Sequence, residues 1–134
     1  MASASDYLET AILDHITGNA AYAQPGVLYV ALFTDAASDA DLEQGILTNE
    51  AAGINYQRKS VVFGAAVQNQ SNNVTDVIFN QAGAGGWGTV DHVAIMDSFT
   101  NGNILFHKQL GTPQPIADGD QLKFNIDNLT ITMT

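Results

Sequence analysis

The stretch GGWGTVDHVAIMD, residues 85–97, holds the chain's single tryptophan, one of its three histidines, two aspartates and a cluster of glycines. Polar and aromatic residues at this density are typical of an active site. The spacing, however, favours a β-strand, because apolar Val93 and Ile95 alternate with the residues beside them. We therefore interpret the stretch as a glycine-rich loop that leads into a central strand, with Trp87 at one end of the core.

Strand patterns recur along the chain. VLYVALFT, residues 27–34, is rich in β-branched and aromatic residues, which predicts a strand buried on both faces. Asn-Gly at 101–102 predicts a two-residue turn, after which NILFHKQL returns with His107 opposite Met96. Turn signals separate further short strands: YQRKSVVFGAAV, NVTDVIFNQ, QLKFNI and LTITMT. This pattern predicts an all-β chain, with residues 1–134 forming a single β-sandwich or jelly-roll-like domain.

One N-terminal α-helix is predicted over about residues 5–18. Ser5 is a suitable N-cap, and Leu8, Ile12 and Ile16 recur at helical spacing. We expect this apolar stripe to face either the domain's own sheet or a neighbouring subunit.

A long acidic loop is predicted over about residues 35–53. Loops of this length are usually functional, mobile or ordered by a partner, and the acidic side chains are candidate contacts with one. Their spacing also imitates the ligand positions of a calcium-binding loop: Asp39, Asp41, Glu43 and Glu50. The sixth position of such a loop needs glycine but holds Gln44, and no flanking helices are predicted. A solvated loop without a metal is the preferred interpretation.

The charge excludes several classes of function. Fourteen acidic and four basic residues give a net charge of -10, so the chain lacks the basic surface of a nucleic-acid-binding protein. The same charge disfavours an anionic membrane, and neither a membrane span nor a signal peptide is predicted. The absence of cysteine excludes disulfides and thiolate metal sites.

The sequence contains none of the common catalytic motifs. The glycine cluster precedes a strand and not a helix, so it does not match a phosphate-binding loop. No serine lies in a GxSxG turn, and His15, His92 and His107 are spread over the helix and two strands. We predict a protein that is not an enzyme and that needs no cofactor.

Five segments, taken in chain order, carry the most specific patterns of the sequence. They are YLETAILDHITGNAAYAQPGVLYVALFT, Glu50 together with YQR at 56–58, WGTVDHVAIMD, GNILFHKQL and GDQLKFNIDNLTITMT. Together they resemble a family of small tailed-bacteriophage virion structural proteins, whose members are labelled tail-fibre-like or simply structural. The resembling segments define strands and contain no catalytic motif.

The resemblance implies a virion component that is assembled in the host cytoplasm. As a capsid decoration (cement) protein it would bind the outer head shell and stabilise it. Its partners would be the major capsid protein or other virion proteins, and it would form a homo-oligomer, a trimer or a dimer. The alternative is a tail or tail-fibre component. The small size and the absence of a stalk favour decoration, which is our expectation.

A second alternative is a glycan- or receptor-binding module on the virion surface. Sandwich domains often bind sugars through exposed aromatic side chains. Trp87 and Tyr56, with Tyr22, are the candidates for stacking on a sugar ring. This interpretation requires that these rings lie at the surface.

Overall fold

The computed structural model describes residues 2–133. The elements found in this range are, in chain order, β1 (Ser3–Ala4), α1 (Asp6–Ile16), β2 (Leu28–Thr34), α2 (Asp39–Glu43), β3 (Lys59–Val61), β4 (Gln70–Asn72), β5 (Val77–Ile78), β6 (Gly88–Met96), β7 (Ile104–Ile116), β8 (Lys123–Phe124) and β9 (Thr130–Thr132). The predicted mostly-β fold with an N-terminal helix is confirmed. No helix within residues 2–133 has both the length and the apolar character needed to span a membrane.

The largest sheet has five antiparallel strands in the order β1-β7-β6-β2-β3. Both of its faces are covered, so β2 is buried on both sides as the apolar run at residues 27–34 predicts. On one face, Leu32 and Ile95 pack against residues of the two-stranded ribbons β4–β9 and β5–β8. On the other face, Phe33 and Met96 pack around Leu42 of α2. This layering is compatible with a sandwich.

Backbone hydrogen bonds also join the large sheet to the β4–β9 ribbon at both ends. Beyond β3, the amide of Gly64 donates to Asn72 at 2.9 Å, and the amide of Val74 donates to Val62 at 2.9 Å. At the other end, the amide of Ala2 donates to Thr130 at 3.2 Å. Since β4 pairs with β9, these bonds complete a hydrogen-bonded ring of strands around the main apolar core.

The N-terminal helix begins at the predicted cap. The side chain of fully buried Ser5 accepts from the amide of Leu8 at 3.3 Å and donates to the carbonyl of Ile104 in β7. Helix and sheet are therefore joined through one hydroxyl. The predicted apolar stripe is divided: Leu8 lies in the domain's own core, Ile12 is half-buried, and Ile16 is 75% exposed.

The hairpin of β6 and β7 differs from the sequence expectation. Its turn spans residues 97–103, and the side chain of Asp97 closes it by accepting from the Asn103 amide at 2.8 Å. As a result His107 pairs with Ala94 and not with Met96. The two-residue turn predicted at Asn-Gly was wrong, because an Asp–Asn contact across the hairpin satisfies the backbone of a longer turn.

Candidate functional site

The short helix α2 is held on the large sheet by two buried histidines. Its Asp39 Oδ1 lies 3.1 Å from Nε2 of His92, and its Glu43 Oε2 lies 2.6 Å from Nε2 of His107. The two carboxylates stand one helical turn apart, and the two histidines stand on the same face of neighbouring strands. We call these four residues the histidine clasp.

The chemistry of the histidine clasp is that of an anchor. An ionised carboxylate only accepts hydrogen bonds, so each Nε2 carries the proton and donates it. The side chains of His92 and His107 are 3% and 5% exposed, and neither Nδ1 atom has a partner among residues 2–133. Each imidazole therefore depends on one carboxylate of α2. The clasp fixes the acidic segment to the sheet, and no nucleophile takes part in it.

The structure separates the four carboxylates that imitate a calcium loop. Asp41 accepts from the backbone amide of Ser38 at 3.2 Å in a capping box at the start of α2, and Glu50 is bound to Arg58. A helix replaces the extended loop, and Asp39, Asp41, Glu43 and Glu50 do not converge. A capped helical turn satisfies these residues within the chain, so their spacing does not produce the calcium-loop geometry.

Another carboxylate group forms where α1 meets α2. Asp6, Glu9 and Glu43 have ligand oxygens within 4.8 Å of one another. This is the group of described residues whose spacing would suit a cation. Asp6 and Glu9 are exposed, and exposed acidic groups often lie this close without an ion. The group therefore marks a concentration of negative charge beside the clasp.

Removing the carboxylate of Glu43 is expected to destabilise the domain. Glu43→Ala leaves buried His107 without its hydrogen-bond partner, so we expect the free energy of unfolding to fall by about 1–3 kcal/mol. Alanine favours helix, so the loss is not one of helix propensity. Urea denaturation followed by circular dichroism measures it. Glu43→Gln keeps an acceptor oxygen and is expected to lose less than half as much. A stability of Glu43→Ala equal to that of the wild type would contradict the anchoring role.

A second buried network joins the end of the acidic loop to the hairpin tip. Arg58, 3% exposed, donates from Nε and Nη2 to both oxygens of Glu50 at 2.8 and 2.7 Å. Its Nη1 donates to the carbonyls of Ser98 and Asn101 at 2.8 and 2.7 Å. The hydroxyl of Tyr56 donates to Glu50 at 2.7 Å and accepts from the amide of Leu32 in β2 at 3.1 Å. These bonds hold three separate parts of the chain in one geometry.

Tyr56 makes the stability sensitive to alkaline pH. Burial raises the pKa of its phenol above the ordinary value of 10.0, and the charge of Glu50 raises it further. The unfolded chain releases this proton above about pH 10, whereas the folded chain keeps it. The stabilisation is therefore complete below about pH 10 and is lost as the pH rises above it, by up to about 1.4 kcal/mol per pH unit.

Above pH 10, the free energy of unfolding of Tyr56→Phe is expected to fall less steeply with pH than that of the wild type. The slopes are expected to differ by the equivalent of about one proton, about 1.4 kcal/mol per pH unit. Val61→Ala is the control, since it removes buried apolar volume but no titratable group and is expected to leave the slope unchanged. Denaturant titrations between about pH 8 and pH 11 measure both. Identical slopes in wild type and Tyr56→Phe would show that the phenol does not titrate as the structure requires.

The aromatic residues considered for glycan binding lie mostly in the core. Trp87 is 2% exposed, and its Nε1 donates to the carbonyl of Ile54 at 3.0 Å. Its ring packs edge-on against Tyr56 and Phe79, with ring centroids 5.2 and 6.5 Å away. Tyr22 is half-buried in the segment after α1. The indole of Trp87 therefore offers no face to a sugar, because Tyr56 and Phe79 pack against it and the backbone of Gly53 lies close to its Cδ1.

Comparison with known protein families identifies the family to which the chain belongs. A family model described as Podophage GP4 fiber I protein gp80 matches residues 3–132. No curated protein sequence matches the chain significantly. The family match covers both the histidine clasp and the Glu50–Tyr56–Arg58 network. The chain therefore belongs to this family of tailed-phage virion proteins.

Proposed function

We propose that this protein is a fibre-type component of the phage tail. The observation that carries the proposal is the match of residues 3–132 to a family described as a podophage fibre protein. Because the match covers nearly the whole chain, the family description applies to this domain and not to an appended segment. The match favours the tail-fibre alternative over capsid decoration, which the small size and the absence of a stalk led us to expect.

The physical character of the domain supports a structural role. Both faces of the large sheet are covered, and buried side-chain bonds hold α2 and the hairpin tip in place. These contacts suit a rigid body that keeps its shape within an assembly. The buried polar groups described above serve as anchors, so we propose a role in assembly and not in catalysis.

We propose that its partners are other copies of itself and other virion proteins, joined during assembly in the host cytoplasm. If α1 contributes a contact, the residues available are Leu13 and Ile16, which are 64% and 75% exposed. Leu8 is unavailable, because it packs within its own domain. The acidic residues of the clasp are bound to histidines, so Asp39 and Glu43 would have to exchange partners to take part.

Labelling of intact particles tests the location. Antibodies against the protein, carried on gold and viewed by electron microscopy, are expected to label the tail and its fibres. Antibodies against the major capsid protein serve as the control for labelling of the head. Uniform labelling of the head surface would support decoration and would contradict the proposal.

A further inference from the structure

The structure contains an apolar cavity between the large sheet and the ribbons. Its volume is about 270 Å³, and its walls come from β6, β7, β8 and β9 and from the segment after β3. Six apolar side chains that line it are Phe63, Val93, Ile95, Phe106, Phe124 and Ile131. Val93 and Ile95 are buried core residues, whereas the three phenylalanines are only partly buried. The cavity thus has an apolar floor and an opening to solvent.

A cation stands on the inner face of the strand that forms one wall. Lys108 pairs with Val93, and Phe106 pairs with Ile95. Residues directly opposite one another in an antiparallel pair point to the same side of the sheet. Lys108 therefore shares the cavity face with these apolar residues, and it belongs to the cavity lining with its side chain exposed.

This cation has no anionic partner among residues 2–133. The other basic residues in that range are occupied: Arg58 pairs with Glu50, Lys59 donates to Asn80 at 2.7 Å, and Lys123 lies 3.6 Å from Asp76. Lys108 makes no ion pair in that range although the chain has 14 acidic residues. A lone cation beside an apolar cavity is complementary to a ligand with an anionic head and an apolar tail.

We propose that the cavity binds a small anionic amphiphile, a carboxylate with a tail of roughly eight carbons. Apolar protein cavities of about 150 Å³ remain dry and bind benzene, so a cavity of about 270 Å³ accommodates a larger hydrocarbon. The tail lies against the phenylalanines, and the carboxylate lies at the opening beside the ammonium of Lys108. The proposal does not depend on where the protein lies in the virion.

Titration of the whole protein with octanoate, 1-octanol and acetate, followed by calorimetry and by amide NMR, tests this assignment. Octanoate is expected to bind saturably with one site per chain and to shift the resonances of Val93 and Ile131. Acetate is expected not to bind, because it lacks the tail. Octanol is expected to bind more weakly than octanoate, since it fills the cavity without using Lys108.

Two matched variants separate the contribution of the ligand's hydrocarbon chain from that of its carboxylate. Lys108→Gln is expected to weaken octanoate binding roughly fivefold and to leave octanol binding within about twofold. Lys123→Gln removes the same charge from β8 and is expected to leave both unchanged. Leu110 lines the cavity and is partly buried, so Leu110→Trp is expected to fill part of the cavity and to abolish binding of both ligands, with the fold checked by circular dichroism.

The absence of saturable octanoate binding would overturn the proposal. Equal loss of octanoate binding in Lys108→Gln and Lys123→Gln would also overturn it, and this comparison holds even if Leu110→Trp does not fold. A shift of the same resonances with protein concentration alone would assign the cavity to a second copy of the chain and would likewise overturn it.

Discussion

Arg58→Ala is expected to lower the free energy of unfolding by about 3–5 kcal/mol, because it removes one partner of a buried ion pair. This guanidinium donates four hydrogen bonds, two to the carboxylate of Glu50 and two to backbone carbonyls of the hairpin tip. Without Arg58, the carboxylate of Glu50 stays largely buried, with Tyr56 as its one remaining donor among residues 2–133. Chemical denaturation followed by circular dichroism measures the loss.

Two further variants test whether the loss of stability depends on the hydrogen bonds of Arg58 and not only on its charge. Lys123→Ala breaks an ion pair that is exposed on both sides, and it is expected to change the stability by no more than about 0.5 kcal/mol. Arg58→Lys retains the charge but cannot donate in four directions, so most of the loss is expected to remain. If Arg58→Ala lowered the free energy of unfolding by less than about 1 kcal/mol, Arg58 would not be the residue that holds the loop and the hairpin together.

Gly86→Ala is expected to destabilise the domain by a similar amount, about 3–5 kcal/mol. A Cβ at this position would overlap the carbonyl oxygen of Ile116 and would lie 3.0 Å from Cα of Ala117. These are backbone atoms at the end of β7, so they cannot move aside as a flexible side chain would. The positive φ of +64° at Gly86 adds a further cost for alanine.

Gly85→Ala provides a control one residue away. Gly85 also has a positive φ, +87°, but a Cβ there would meet nothing within 4 Å. The free energy of unfolding of Gly85→Ala is expected to fall by only about 1 kcal/mol, the cost of the backbone conformation alone. Thermal unfolding of the two variants side by side measures the difference. Equal losses would show that the close approach of Gly86 to β7 does not stabilise the fold.

Local sequence patterns predict the main elements of this fold. The helix cap at Ser5, the strand at residues 27–34 and the strand that follows Trp87 all depend on nearest neighbours along the chain, and all are present. Apolar alternation reports which face of a strand is buried, so the central strands could be recognised without knowledge of their partners.

The contacts of the candidate site could not be read in the same way. The histidine clasp joins residues 53 and 64 positions apart, and it exists only because β6 and β7 pair in one register. The turn at Asn-Gly predicted a different register, because the pairing of Asp97 with Asn103 has no strong local signal. Helix α2 was missed for a related reason: its five residues are stabilised by a cap and by tertiary contacts.

The burial of Trp87 was correctly expected, and its consequence for glycan binding follows from the structure alone. A single tryptophan beside glycines is compatible with a sugar platform or with a core position. The bond from its Nε1 to Ile54 and the ring contacts with Tyr56 and Phe79 decide for the core. The strand-defining segments indicated a virion protein because they reflect the fold of the family, and the family whose model matches is described as a podophage fibre protein.

Copy number per particle tests the proposed place in the virion most directly. Quantitative mass spectrometry of purified virions, with the major capsid protein as the internal reference, gives this number. A fibre-type tail protein is expected in a small number of copies, set by the symmetry of the tail. Hundreds of copies per particle, in a fixed ratio to the capsid protein, would contradict the proposed tail location and would indicate that the protein decorates the head surface.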